Sequence, residues 1–166
     1  LVAEELRSGT LELLTTMPVR DHEVILGKFL AALAVIGAAL LLSLSYAFTV
    51  ASVGDLDWGP VVGGYLGLVL CAAALVAVGV MTSTWSRNQI VAFIFALLVC
   101  LALWLFDKVG VFVPAGLAAV LEYLSVDYHF RNVARGVVDT RDLLYYLSLT
   151  AVALFAAVRS LGRHHA

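Results

Sequence analysis

Charge is the scarcest commodity in this chain. Its 166 residues include 10 Lys and Arg and 12 Asp and Glu, 13% of the total, against about a quarter in an average soluble domain. The net charge of −2 contains no basic block, so nothing gathers the cations that grip a phosphate backbone, and nucleic acid is excluded as a partner. Cysteine is scarce too. Cys71 and Cys100 both sit inside apolar runs, which excludes a disulfide framework and reads as two small buried hydrophobes. No G-x-x-x-x-G-K-[ST] loop occurs, so this chain has no phosphate cradle with which to hydrolyse a nucleotide by itself. H-E-x-x-H and C-x-x-C are absent as well. His22 and His129 are far apart, and His164 and His165 lie in the tail. Glu122, Asp127 and His129 share one loop, but their spacing matches no metal-ligand pattern, and they read as interfacial polar residues. No catalytic residue, metal ligand or bound cofactor is expected in this chain.

What fills the space is apolar: 63% of the residues, with a mean hydropathy of +1.02. Four charge-free runs organise it. Phe29 to Gly54 is 26 residues, Trp58 to Ser86 is 29, Asn88 to Phe106 is 19, and Leu143 to Val158 is 16, extended by Arg159, which can snorkel. A membrane-spanning helix needs about 20 apolar residues, and one central charge costs about 2.5–3.5 kcal/mol on insertion. Four runs that avoid that cost predict an all-α, polytopic membrane protein with spans at about 22–52, 60–84, 88–107 and 142–161. Asp21 is expected to cap the first, Pro60 to sit in the first turn of the second, and Asp139 or Thr140 to cap the fourth.

The connections are unequal. Asp55-Leu56-Asp57-Trp58-Gly59 is a short acidic turn, and Ser86-Arg87 is shorter still. Residues 108–141 are long and mixed. Val109 to Leu121 is uncharged for 13 residues and broken by Pro114, too short to span, so it reads as re-entrant or interfacial. Val126, Phe130, Val133 and Val137 recur at near-helical spacing between charges, the pattern of an amphipathic helix lying on a membrane surface. In the second run, Gly63 and Gly67 stand four apart among other small residues. They are helix-packing candidates, within the chain or across a dimer. No charge falls mid-span, which argues against an ion-coupled carrier. The polar groups left near the bilayer are Ser43, Ser45, Tyr46, Tyr65, Thr82 and Tyr145. Four spans put both ends on one side. That side carries Arg7, Arg20, Lys28, Arg87, Arg159 and Arg163 against Lys108, Arg131, Arg135 and Arg141 on the other, favouring cytoplasmic ends.

Residues 1–21 carry the most specific pattern. Leu6, Leu13 and Met17 recur on one face with Leu14 beside them, while Glu5, Glu12 and Thr16 fall on another. Gly9 divides the stretch and Pro18 stops it. Such a helix before a span is either a surface anchor or a docking element that lays its apolar stripe in a partner's groove. Its polar face is acidic rather than basic, which favours docking. The chain opens on Leu1 in charged sequence without a signal peptide, as a piece of a longer protein would.

The run Glu4-Glu5-Leu-Arg-Ser-Gly-Thr-Leu-Glu-Leu-Leu, followed by Met17-Pro18-Val19-Arg20-Asp21-His22-Glu23-Val24-Ile25-Leu26-Gly27-Lys28-Phe29, resembles the ABC-2-type permeases, most of all the gliding-motility-associated branch. Ser86-Arg87-Asn88-Gln89, Tyr128-His129-Phe130 and Ala134 to Asp142 are similar to that branch too. The resemblance covers about residues 3–162, and its specific part is the span-entry motif with Pro18, Glu23, Gly27 and Lys28. It implies a six-span permease of which this chain holds the third to sixth spans, in a bacterial or archaeal cell membrane. It implies a cytoplasmic coupling helix, here Gly9, Thr10, Leu11, Glu12, Leu13, Leu14 and Met17, docked on a separate ATP-binding subunit that carries the ATP and Mg. It further implies a second permease copy beside this one, with membrane lipid around both, a short tail at 162–166, and extracytoplasmic helices within 108–141. Two other readings stand beside the exporter subunit. One is a non-transporting membrane scaffold that recruits a cytoplasmic partner. The other is an intramembrane enzyme built on Glu122, Asp127 and His129.

Overall fold

Residue 2, residues 20–86 and residues 88–162 are described by the computed structural model. Helix α1 is Asp21–Val53, α2 Trp58–Ser83 and α3 Gln89–Val109; a 3₁₀ turn at Gly110–Phe112 leads to α4, Ala115–Leu124, then α5, Val126–Ala134, and α6, Thr140–Gly162. No strand occurs among the described residues. Helices α1, α2, α3 and α6 are each long and apolar enough to cross a membrane. The protein is an all-α polytopic membrane protein.

Local chemistry places the helix starts. Arg20, not Asp21, caps α1: its backbone N–H donates to the Glu23 carboxylate at 3.0 Å, and Asp21 is already helical. Asp57 accepts from the Gly59 N–H at 3.0 Å, which starts α2 two residues before Pro60. Asn88 caps α3 through the Ile90 N–H at 3.0 Å. Asp139 accepts from the Arg141 N–H at 3.0 Å and starts α6 at Thr140. Asp142, expected at the entry of the last span, is therefore drawn into its first turn.

Helix α2 is the axis of the molecule, packed by α1, α3, α5 and α6. Its small residues make this possible. Ala77 and Val78 meet Phe29 of α1 and Ala153 of α6, while Val80 meets Ile25, Ala157 and Leu161. Nearer its start, Gly63 lies so close to the Val133 carbonyl and the Gly136 backbone that a Cβ would collide with both. A Cβ on Gly67 would press on the Phe130 ring at 3.3 Å. Further along, Ala74 packs with Val126 and Tyr146. The contacts therefore run Val133 on Gly63, Phe130 on Gly67, Val126 on Ala74. Helix α5 lies antiparallel to α2 over its own length of about 13 Å, at 1.5 Å per residue. Its apolar stripe is satisfied by protein: Val126 and Val133 are buried, and Val137, beyond the helix end, is exposed. The surface-lying amphipathic helix expected here is thus an inward-packed one. Gly136 closes the hairpin exit with φ +83° against Gly59 and Pro60, a backbone geometry that favours glycine.

Helix α4 returns along α3, with Gly110 in contact with Ala118. Together α4 and α5 form a helical hairpin whose tip, Ser125, is fully buried. The outer faces of the long helices remain apolar and open: Phe93, Leu97, Leu98 and Leu101 on α3, and Val35, Leu42 and Phe48 on α1.

Candidate functional site

Around the tip of the α4–α5 hairpin, Ser125, His129 and Asp142 form a buried polar cluster. Tyr145 and Tyr146 lie three and four residues after Asp142, on the same face of α6, so one helix presents a carboxylate and two phenols together. The Tyr145 hydroxyl donates to the Leu124 carbonyl at 2.6 Å, and the Tyr146 hydroxyl donates to the Val126 carbonyl at 2.8 Å. The first bond satisfies the last carbonyl of α4, which the α4–α5 break leaves without a helical partner, and the second adds a bond to the first carbonyl of α5.

Beside them, His129 projects from α5 with its side chain 1% exposed. Its Nδ1 lies 2.5 Å from Asp142 Oδ1, and its Nε2 lies 2.9 Å from the Tyr123 carbonyl oxygen. Tyr145 stacks on the imidazole at 4.0 Å between centroids, and Tyr123, Tyr128 and Tyr146 meet it edge-on. Asp142 Oδ2 is buried with no hydrogen-bond partner among the described residues. A carboxylate and an imidazole out of water are tolerated because each faces the other.

A second polar group ties the same hairpin to α3. Arg131 pairs with Asp107, Lys108 pairs with Asp127 at 2.8 Å, and Ser125 Oγ donates to Asp107 at 3.4 Å. Asp107 is nearly buried, while Lys108 and Arg131 are about half exposed, so these pairs orient more than they stabilise. Glu122 borders the same hollow and is exposed.

The structure separates the residues proposed for an intramembrane enzyme. Asp127 is taken by Lys108 and Arg131, His129 by Asp142, and Glu122 stands outside. Among the described residues no group of three His, Cys, Asp or Glu is placed to hold a metal. Glu23 caps α1, Gly27 has open space where a Cβ would go, and Lys28 is half-buried one turn on. Gly63 and Gly67 face the hairpin of their own chain. The docking set Gly9, Thr10, Leu11, Glu12, Leu13, Leu14 and Met17, with Pro18, lies outside the described residues. What sequence reasoning missed is the pairing of His129 with Asp142, 13 positions apart. The available signal was the Asp-x-x-Tyr-Tyr spacing at 142–146, which puts an acid and two phenols on one face of an otherwise apolar span.

Three apolar spans packed on a fourth, small-residue span, with a polar-tipped hairpin among them, define a multi-pass membrane protein. The family model described as ABC-2 family transporter protein matches residues 1–162, and the chain belongs to that family, the membrane permeases of ABC transporters. It matches no curated protein and no solved structure.

Proposed function

We propose that this chain is the membrane-spanning subunit of an ABC-type exporter, coupling ATP hydrolysis in a separate ATPase subunit to movement of a substrate across the cell membrane. The observation that carries the reading is the family match over residues 1–162, on a chain with four spans and no nucleotide-binding loop. The chain is then not itself an enzyme: ATP and Mg belong to the partner. A second permease copy completes the pathway, and both ends of the chain face the cytoplasm of a bacterial or archaeal cell. The gliding-motility-associated branch is part of the same proposal and rests on the span-entry motif from Glu4 to Lys28.

Residues 9–17 are proposed to dock on the ATPase. Val2 supports the placement. It is fully buried against Ile25, Val80, Ala157 and Leu161, at the end of the bundle where α1 begins and α6 ends. Val2 and Arg20 therefore both lie at that one end of the bundle. Closure of the ATPase dimer would carry the docked segment, and α1 would transmit the movement, because Arg20 and Glu23 start that helix directly behind Pro18. Leu11, Leu13, Leu14 and Met17 supply the apolar contact, Glu12 orients it, and Lys28 anchors the span at the headgroups.

The test is co-purification. The full-length gene is co-expressed with its neighbouring ATPase, and ATPase co-eluting with the permease in detergent is measured for wild type and for a Leu13→Asp, Leu14→Asp variant. Loss of most of the co-eluting ATPase in the variant is expected. A folded wild type that brings down no ATPase would overturn the exporter reading in favour of the scaffold.

A further inference from the structure

We infer that His129 and Asp142 form a proton-dependent latch, which holds the α4–α5 hairpin to α6 while the imidazole carries both its protons and loosens when one is lost. The inference does not depend on the transport proposal, because it concerns how two parts of this chain are joined.

The argument is proton accounting at two ring nitrogens. The Tyr123 carbonyl oxygen can only accept, so Nε2, 2.9 Å away, carries a hydrogen. Nδ1 and Asp142 Oδ1, 2.5 Å apart, need one proton between them. The pair as built therefore holds one proton more than a neutral histidine beside a carboxylate. Removing it leaves two lone pairs face to face at Nδ1 and Oδ1. Moving the remaining ring proton to Nδ1 restores that contact but turns a lone pair on the Tyr123 carbonyl. Either way one of the two bonds is lost. Water cannot readily replace it, because His129 and Asp142 are 1% and 3% exposed and four tyrosines close around the ring.

The groups facing the latch come from every neighbouring element. Tyr123 comes from α4 and Tyr128 from α5 itself, where Asp127 and Arg131 are turned to α3, and Arg135 and Asp139 line a hollow together with Asp142. Asp142, Tyr145 and Tyr146 come from α6, and Cys71 of α2 packs beside the last of these. Asp107 and Lys108 of α3 engage Arg131 and Asp127. With those two acids paired to cations, Asp142 is the carboxylate directly bonded to the ring.

Substitution separates the proton from the shape. In Asp142→Asn the amide N–H can donate to Nδ1 of a neutral histidine while Nε2–H still donates to Tyr123. Both bonds survive without the extra proton. Hydrogen exchange over residues 123–136 is compared between wild type and Asp142→Asn, each as the full-length protein in detergent, from about pH 5 to about pH 9, the range around the ordinary histidine value. Taking the ratio at each pH removes the intrinsic pH dependence of exchange. A ratio near one at the acid end, rising about tenfold at the alkaline end, is expected for loss of one charge-assisted bond. A ratio constant with pH overturns the latch. If Asp142→Asn does not fold, ¹⁵N spectra of histidine-labelled wild type decide, with His129 assigned by difference from His129→Gln. A doubly protonated ring that loses a proton as the hairpin loosens supports the latch, and a ring neutral across the range overturns it.

Discussion

Gly63 and Gly64 are neighbours with opposite surroundings. A Cβ on Gly63 would strike the Val133 carbonyl and the Gly136 backbone, whereas one on Gly64 meets nothing within 4 Å. Backbone cannot swing aside as a side-chain tip can, so Gly63→Ala must push the hairpin off α2. The expected cost is about 1–3 kcal/mol, the range for overpacking a fitted site. Gly64→Ala should be neutral or stabilising by up to about 1 kcal/mol, since it only removes backbone freedom. Thermal unfolding of the two variants in one detergent checks this, and equal effects would count against the hairpin contact. Neither outcome is readable from the Gly-x-x-x-Gly spacing, which says that something approaches closely but not what. The same holds for His129 and Asp142. Each is legible as a polar residue near a membrane boundary, and their union needs the α5–α6 geometry.

Helices differ in which side is already occupied. The face of α2 around Ala77 is closed by Phe29 of α1 and Ala153 of α6, while Leu98 of α3 is 55% exposed. Ala77→Leu should therefore destabilise by about 1–3 kcal/mol through overpacking, and Leu98→Ala by under about 0.5 kcal/mol, as for a site without a fitted partner. Denaturation of the detergent-solubilised protein compares them, and a large loss from Leu98→Ala would mean that protein rather than lipid covers α3. Element existence was legible because each span is announced by a run without charge. Element ends were less so: Asp139 caps as expected, but Arg20 rather than Asp21 caps α1, and Asp57 and Asn88 cap α2 and α3 without having been singled out. The course of residues 126–134 was half legible. Its amphipathic period marks a helix with one apolar side, but lipid and a glycine-lined neighbour satisfy that side equally well.

For the whole molecule, the question is which end faces which compartment. The α1–α2 turn, the 3₁₀ turn and the Gly136 bend all lie at one end, and Arg20, Ser86 and Gly162 at the other. With Cys71 and Cys100 replaced by alanine, Asp55→Cys and Val137→Cys should both label from outside intact cells with an impermeant thiol reagent. Arg20→Cys should label only after permeabilisation. The reverse pattern would overturn cytoplasmic ends, and with them any docking of residues 9–17 on a cytoplasmic ATPase.

Composition and spacing alone determined that four helices of this chain are long and apolar enough to cross a membrane and that its sequence carries no nucleotide loop. The span-entry motif near Pro18 pointed to its family. Those are local facts: a charge in a span is costly wherever the span packs, and a cap or a proline acts on its own turn. Tertiary structure decided that the stripe of Val126, Phe130 and Val133 meets Gly63, Gly67 and Ala74. It also decided that His129 lies 2.5 Å from Asp142, while Asp127 and the hollow that Glu122 borders belong to Lys108 and Arg131. Those outcomes depend on distances between elements remote in sequence, and such distances are set only when the helices have packed.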